Sequence, residues 1–200
     1  MLKPVDVVLF DFDGTLSWPD TNTAFWWYCA RFSLRPWLFL PIILVCGIVR
    51  LIKPNGLWWR ENMRRFLTAK MVEKFAEGFI KLHKRNRFGW AAERVATEHA
   101  NGNKVLLVTA SPDYLIPELV SDMQFDAVIC SKMYKDKPWK YKSMCWGTKK
   151  VIAVDAWAKR NKFIPHIVRA YSDSKNDMPM MEIANQQVWI NPKTGMVVNC

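Results

Sequence analysis

Two hundred residues, half of them apolar, are enough to bury one α/β core with room for a smaller insert. Lys and Arg outnumber Asp and Glu 29 to 18, and the formal net charge of +11 suits phosphates, nucleic acid or anionic lipid without choosing among them. The five cysteines, at 29, 46, 130, 145 and 200, form no CxxC pair and no metal-ligand spacing with the three histidines, which argues against disulfide and zinc frameworks and for a reduced, cytosolic setting.

Along the chain, residues 5–10 (VDVVLF from Val5) read as a buried strand stopped by Asp11, Asp13 and Gly14, and this start is no signal peptide. More than ninety residues then separate it from the next strand-like run, KVLLVT at 104–109, far more than a simple crossover requires. Residues 22–53 of the interval are rich in Trp, Phe, Leu and Ile. Residues 58–86 carry Met63, Leu67, Met71, Phe75 and Phe79 at helical spacing. The interval is therefore read as a helical cap, residues 17–87, inserted straight after the first strand. Further strands are expected at 126–130, 166–171 and 187–191, alternating with helices at 89–100, 113–122, 147–160 and 177–185. Such alternation predicts an α/β fold in which residues 1–16 and 88–200 build a parallel sheet covered on both faces.

Acidic residues gather where strands end. Asp11 and Asp13 stand at i and i+2, so both can face one crevice at the rim, the usual ligand-binding place of open α/β sheets. Gly14 permits a tight turn and Thr15 offers a hydroxyl. The run HIVRAYSDSKND brings Asp173, Asn176 and Asp177 to the same rim. Four carboxylates without a counter-charge would repel one another, so the pattern implies a hard cation with oxygen ligands, Mg²⁺, completed by a phosphate group. Donors for that phosphate are expected from LLVTASP: the Thr109 hydroxyl and the backbone N–H groups of Ala110 and Ser111, with Pro112 in the first turn of a helix. Lys149 or Lys150, in GTKKVIAV, can add an ammonium. Each feature also has an ordinary reading when taken singly, DFDG as a strand-to-turn stop and the lysines as a solvated pair. His83, His99 and His166 receive no role.

Together the stretches DFDGTL, LVTASP, GTKKV and YSDSKND resemble, in order and spacing, the haloacid dehalogenase superfamily, in its phosphoserine-phosphatase-like branch. The resemblance implies a Rossmann-like core with a helical cap in the first cap position. It implies that Asp11 is a nucleophile forming an aspartyl-phosphate, and that Asp13 protonates the leaving oxygen and then deprotonates water. It further implies Mg²⁺ held by the side chains of Asp11 and Asp173 and the backbone carbonyl of Asp13, with Asp177 in support. Phosphoryl oxygens would be gripped by Thr109, Ala110 and a lysine, for which the pattern favours Lys150, with Asn176 assisting. Ser172 departs from the glycine usual before the first Asp of the fourth motif.

The cap holds the unusual sequence. PWLFLPIILVCGIV is an uncharged run interrupted by Pro36 and Pro41 and flanked by Arg31, Arg35, Arg50 and Lys53, with tryptophans near both ends. An interfacial or re-entrant membrane segment is the preferred reading; a buried cap helix and a full span are the alternatives. An apolar, basic cap combined with YSDS looks like the bacterial phosphatidylglycerophosphate phosphatases. The expectation is a hydrolase of a lipid phosphate monoester, peripheral on the inner face of the cell membrane and without nucleic-acid partners. A soluble phosphatase of phosphoserine or another metabolite is one rival, and a non-catalytic membrane or nucleic-acid adaptor is another.

Overall fold

The computed structural model of the protein describes residues 2–53 and 56–198. Its strands are β1 (Lys3–Phe10), β2 (Lys104–Pro112), β3 (Ala127–Met133), β4 (Tyr141–Ser143), β5 (Phe163–Ser172), β6 (Gln186–Ile190) and β7 (Val197–Val198). Its helices are α1 (Thr21–Phe32), α2 (Arg35–Leu38), α3 (Leu40–Ile52), α4 (Leu57–Asn62), α5 (Ala69–His83), α6 (Ala91–Ala100), α7 (Ile116–Leu119), α8 (Thr148–Arg160) and α9 (Met178–Glu182).

One sheet runs in the order β4-β3-β2-β1-β5-β6-β7. β1 lies between β2 and β5, parallel to both, and β3 and β6 extend the parallel set. Successive side chains of a strand face opposite ways, which explains why Val7–Phe10 is apolar throughout. Val8 and Phe10 join one core cluster and Val7 and Leu9 the other, and Val105/Leu107 and Leu106/Val108 divide in the same way. The first cluster also takes in Phe25, Phe66, Phe75 and Phe79 from the insert, so insert and sheet share one buried core. The fold is α/β, as expected.

Three differences from the sequence reading have local causes. The short antiparallel edges β4 and β7 carry no apolar period to announce them. β2 continues to Pro112, which pairs with Ser131, so no helix begins at Ala110 and the expected helix 113–122 shrinks to the four residues of α7. The run 58–86 is not one helix: α4 stops at Asn62, and α5 starts afresh where Thr68 accepts from the Met71 N–H as its N-cap. Met71, Phe75 and Phe79 keep their helical spacing on the buried face of α5, against Phe25 and Tyr28 of α1. Of the alternatives held for the apolar run, the buried cap helix is excluded, since α3 buries only Cys46. Among the described residues no helix is long and apolar enough to cross a membrane. Cys29, Cys46, Cys130 and Cys145 are free and buried; Cys200 lies outside the described residues.

Candidate active site

β1 ends in a turn folded around one carbonyl. Phe12 O accepts from the N–H groups of Thr15, Leu16 and Ser17, while the Gly14 N–H reaches Ser17 O at 2.8 Å. Gly14 adopts φ +76°, and a Cβ on it would stand 2.3 Å from Asp173 Oδ2. Glycine is needed here twice, for the left-handed backbone and for the approach of the carboxylate above it. The Asp11 N–H donates to Tyr171 O at 3.0 Å, which ties the ends of β1 and β5 together and brings both acidic segments to one rim.

Lys150 connects these segments. Its Nζ lies 2.7 Å from Asp11 Oδ1 and 2.7 Å from Asp177 Oδ2, and the side chain is fully buried while Lys149 is exposed, which decides between the two lysines. Gly147, at φ +57°, precedes α8 and starts the helix that carries Lys150 inward. Ser172 donates to the same Asp177 oxygen at 2.8 Å, so the serine that replaces the usual glycine fastens the acid that holds the lysine. Burial alone would discharge Lys150, but Asp11 and Asp177 outweigh it and hold the ammonium firmly protonated. Burial raises Asp11 well above the usual carboxylate range; Lys150 opposes this, and Asp177 and Asp13 add to it. Asp173, which accepts from Thr15 Oγ1 at 3.3 Å, is likewise raised, chiefly by burial.

Asp13 faces the insert. Its Oδ1 accepts from the Thr21 N–H at 2.7 Å and from the Thr21 hydroxyl, and its Oδ2 accepts from the Ser111 hydroxyl. Burial, reinforced by Asp20, pushes its carboxyl up to about 7 against the pull of these hydrogen bonds. From Ser111 a chain of contacts runs outward: Asn22 Nδ2 donates to Ser111 Oγ at 3.3 Å, and Arg64 Nη1 donates to Asn22 Oδ1 at 3.3 Å. Thr109 is buried, and its hydroxyl accepts from the Ser111 N–H at 3.2 Å, with Ala110 between them at the end of β2. Asn176 is exposed, its side chain on Ser174 at 3.1 Å. The structure thus brings Asp11, Asp173, Asp177 and Lys150 together, sets Asp13 and Thr109 beside them, and leaves Asn176 at the rim. Thr21, Asn22, Arg64 and the side chains of Ser111 and Ser172 escaped sequence reading. Asp20 before Thr21, the N-cap of α1, was the one local signal for that corner.

The rim suits a hard divalent cation. One ammonium faces three carboxylates; Asp11 and Asp173 are raised first by burial, with the charge of Asp177 adding to it in both. Among the described residues no three acidic, His or Cys side chains already converge as a cation cage. Mg²⁺ asks for less than a cage: one or two carboxylates, with water and phosphate oxygens completing the set. Asp11, Asp173 and the carbonyl of Asp13 are an all-oxygen set of that kind, whereas Asp177 acts through Lys150.

A cavity of about 600 Å³ opens beside this corner, between α1, α3 and α4. Its walls include Trp26, Trp37, Trp59 and Ile43, with Arg50 and Arg64 among them. Trp26 Nε1 and Arg64 Nε and Nη2 are buried donors without a hydrogen-bond partner among the described residues. A larger recess of about 850 Å³ lies against β5–β7; the smaller cavity is the one tied to the site, because Asn22 and Arg64, which lead through Ser111 to Asp13, stand in its wall.

Known proteins similar to this chain bear on its fold and family. The CicA proteins of two Caulobacter vibrioides strains are each 26% identical over 202 residues, covering 90% of this chain and 84% of theirs. A Bordetella pertussis Tohama I protein of unknown function superposes with a TM-score of 0.72 at 18% identity, over 95% of this chain and 92% of that one. A phosphoserine phosphatase captured as a phospho-aspartyl intermediate analogue gives 0.65 at 17% identity, over 94% and 87%. At these identities the two structures testify to the fold. The family model of the haloacid dehalogenase-like hydrolases matches residues 8–182, and the chain belongs to that family.

Proposed function

We propose that the chain is a Mg²⁺-dependent phosphomonoesterase working through an aspartyl-phosphate on Asp11. The observation that carries this reading is the buried Lys150 ammonium shared between Asp11 and Asp177, with Asp173 seated over Gly14. Lys150 holds Asp11 Oδ1, so Oδ2 is the oxygen that attacks phosphorus. The bond to the ester oxygen breaks, and that oxygen takes the proton of Asp13. Asp13, now a carboxylate, receives a proton from water as the water oxygen attacks the phosphorus of the acyl phosphate; inorganic phosphate leaves and Asp11 is restored. Thr109, the Ala110 N–H and Lys150 hold the phosphoryl oxygens, with Asn176 reaching in from the rim. When bound, Mg²⁺ would supply charge neutralisation at those oxygens, held by Asp11, Asp173 and the carbonyl of Asp13.

The substrate we favour is a lipid phosphate such as phosphatidylglycerophosphate. The cavity next to Asp13 supports it, because tryptophan walls suit an apolar body while the unpartnered donors of Arg64 and Trp26 suit a second anionic group on the leaving alcohol. The likeness in fold to phosphoserine phosphatases favours a second reading, a small soluble ester. Release of phosphate from phosphatidylglycerophosphate in mixed micelles, compared with phosphoserine under the same Mg²⁺, separates them: a higher kcat/KM on phosphoserine sinks the lipid reading. Asp11→Asn should lower kcat on every ester by about 10⁴-fold or more, and no acid-stable phosphate should remain on the protein after quenching. Turnover retained by that variant overturns the covalent mechanism.

A further inference from the structure

The outer face of the insert is more apolar than a water-facing surface should be. Among the described residues, more than half of the exposed large apolar side chains fall between Trp27 and Trp58. On α3 the exposed set Leu44, Val45, Ile48, Leu51 and Ile52 recurs at helical spacing, so a whole apolar stripe points away from the protein. A contiguous surface of that kind marks a site for something outside the chain.

Charge says what that is. From Thr21 to Arg60 there is no aspartate or glutamate, while Arg31, Arg35, Arg50, Lys53 and Arg60 supply five cations. Arg31 and Lys53 are exposed at the two ends of the α2–α3 stretch, and the half-exposed Trp27, Trp37 and Trp58 stand nearby. Apolar stripe, tryptophan border and cations without acids are the chemistry of an anionic bilayer surface, where apolar burial and attraction to the headgroups add together. A 13-residue helix is about 20 Å long, against a hydrocarbon core of about 30 Å, so α3 lies along such a surface and does not cross it.

We infer that the outer face of α2–α4 docks this protein on anionic lipid, with the mouth of the Trp-lined cavity turned to the headgroups. Trp27, Trp37 and Arg50 belong both to the exposed face and to the cavity wall, while the inner wall carries Arg64, joined through Asn22 and Ser111 to Asp13. The cavity is thus a route from the bilayer to the acid. Only this last assignment rests on the proposed phosphomonoesterase; docking itself does not.

The test is co-sedimentation of the full chain with phosphatidylcholine vesicles, with and without phosphatidylglycerol, alongside hydrolysis of para-nitrophenyl phosphate. Wild type should sediment with the phosphatidylglycerol vesicles, and less as salt rises. The Leu44→Asp/Ile48→Asp pair should stay in the supernatant, and the Arg31→Gln/Lys53→Gln pair, which leaves the apolar stripe intact, should bind about tenfold more weakly. Both pairs should hydrolyse the soluble ester at the wild-type rate. The inference is overturned if wild type ignores phosphatidylglycerol vesicles, or if the Asp pair sediments like wild type. It is also overturned if light scattering shows a wild-type dimer that the Asp pair dissolves, which gives the face to a second copy. Vesicle binding without ester hydrolysis would leave docking in place and remove the phosphatase reading alone.

Discussion

The carboxylate rim and the outer face of the insert break the same burial rule in opposite directions. At the rim, charges are buried, and the partners that make this tolerable come from the chain: Lys150 for Asp11 and Asp177, Ser172 for Asp177 again, Thr21 and Ser111 for Asp13. On α3, apolar side chains are exposed, and nothing among the described residues covers them. On the proposed reading the first region lacks only a cation and a phosphate, and the second is completed by a lipid surface.

The sharpest way to break this comparison is to take away the partner at the rim. Lys150→Met leaves Asp11 and Asp177 buried without their ammonium and should cost about 3–5 kcal/mol in chemical denaturation. Adding Asp177→Asn to it should return part of that loss, because fewer buried charges then lack a partner; no recovery would deny that the pair matters electrostatically.

A smaller effect is expected where the seam between insert and sheet holds a polar group neutral. His83 is buried, with Asn86 Nδ2 at 3.3 Å from its Nδ1 and Ser17 Oγ at 3.5 Å from its Nε2. Its imidazole stacks on Phe79. Burial pushes its pKa down to about 4, with Asp20 pulling weakly the other way. The unfolded chain therefore binds the proton more readily, and the stabilising contribution, complete above about pH 6.5, is lost as pH falls toward 4. Denaturation midpoints across that range should reveal a loss of about 2 kcal/mol that His83→Gln does not show.

Next comes Gly14→Ala, which meets both the positive φ and the Asp173 carboxylate, and should cost about 1–3 kcal/mol. Its cost in kcat, about 10²-fold, should exceed its effect on KM for Mg²⁺-supported turnover, since it displaces the carboxylate at the reacting centre. The smallest effect marks the other side of the comparison. Leu44→Asp/Ile48→Asp should move stability in water by no more than about 0.5 kcal/mol per site, as suits side chains that touch solvent. A large loss there would mean that the stripe packs within the protein.

The α/β alternation was readable because a strand buried on both faces has to be apolar at every position, as Val7–Phe10 and Val105–Val108 are. The carboxylate pairs were readable for a related reason. Asp11 and Asp13 come directly after such a strand, Asp173 and Asp177 follow the mixed but strand-like run of β5, and a strand delivers the next few residues to the rim of the sheet. Contacts between residues far apart in the chain, with no pattern in common, could not be read.

Ser111 gave no sign that its hydroxyl would meet Asp13, 98 positions away, nor Arg64 that it would reach Asn22 across 42. Likewise, PWLFLPIILVCGIV announced apolar character but not which side would face outward, because apolar residues stand on every side of the run and only the neighbouring elements decide which of them are covered. Local sequence determined the strands, the acids at their ends and the charge of the insert, since each depends on near neighbours or simple counts. Tertiary structure decided that Lys150 and not Lys149 meets the acids, that Ser172 fastens Asp177, and that α3 turns its stripe to the outside, because these depend on how separate elements pack.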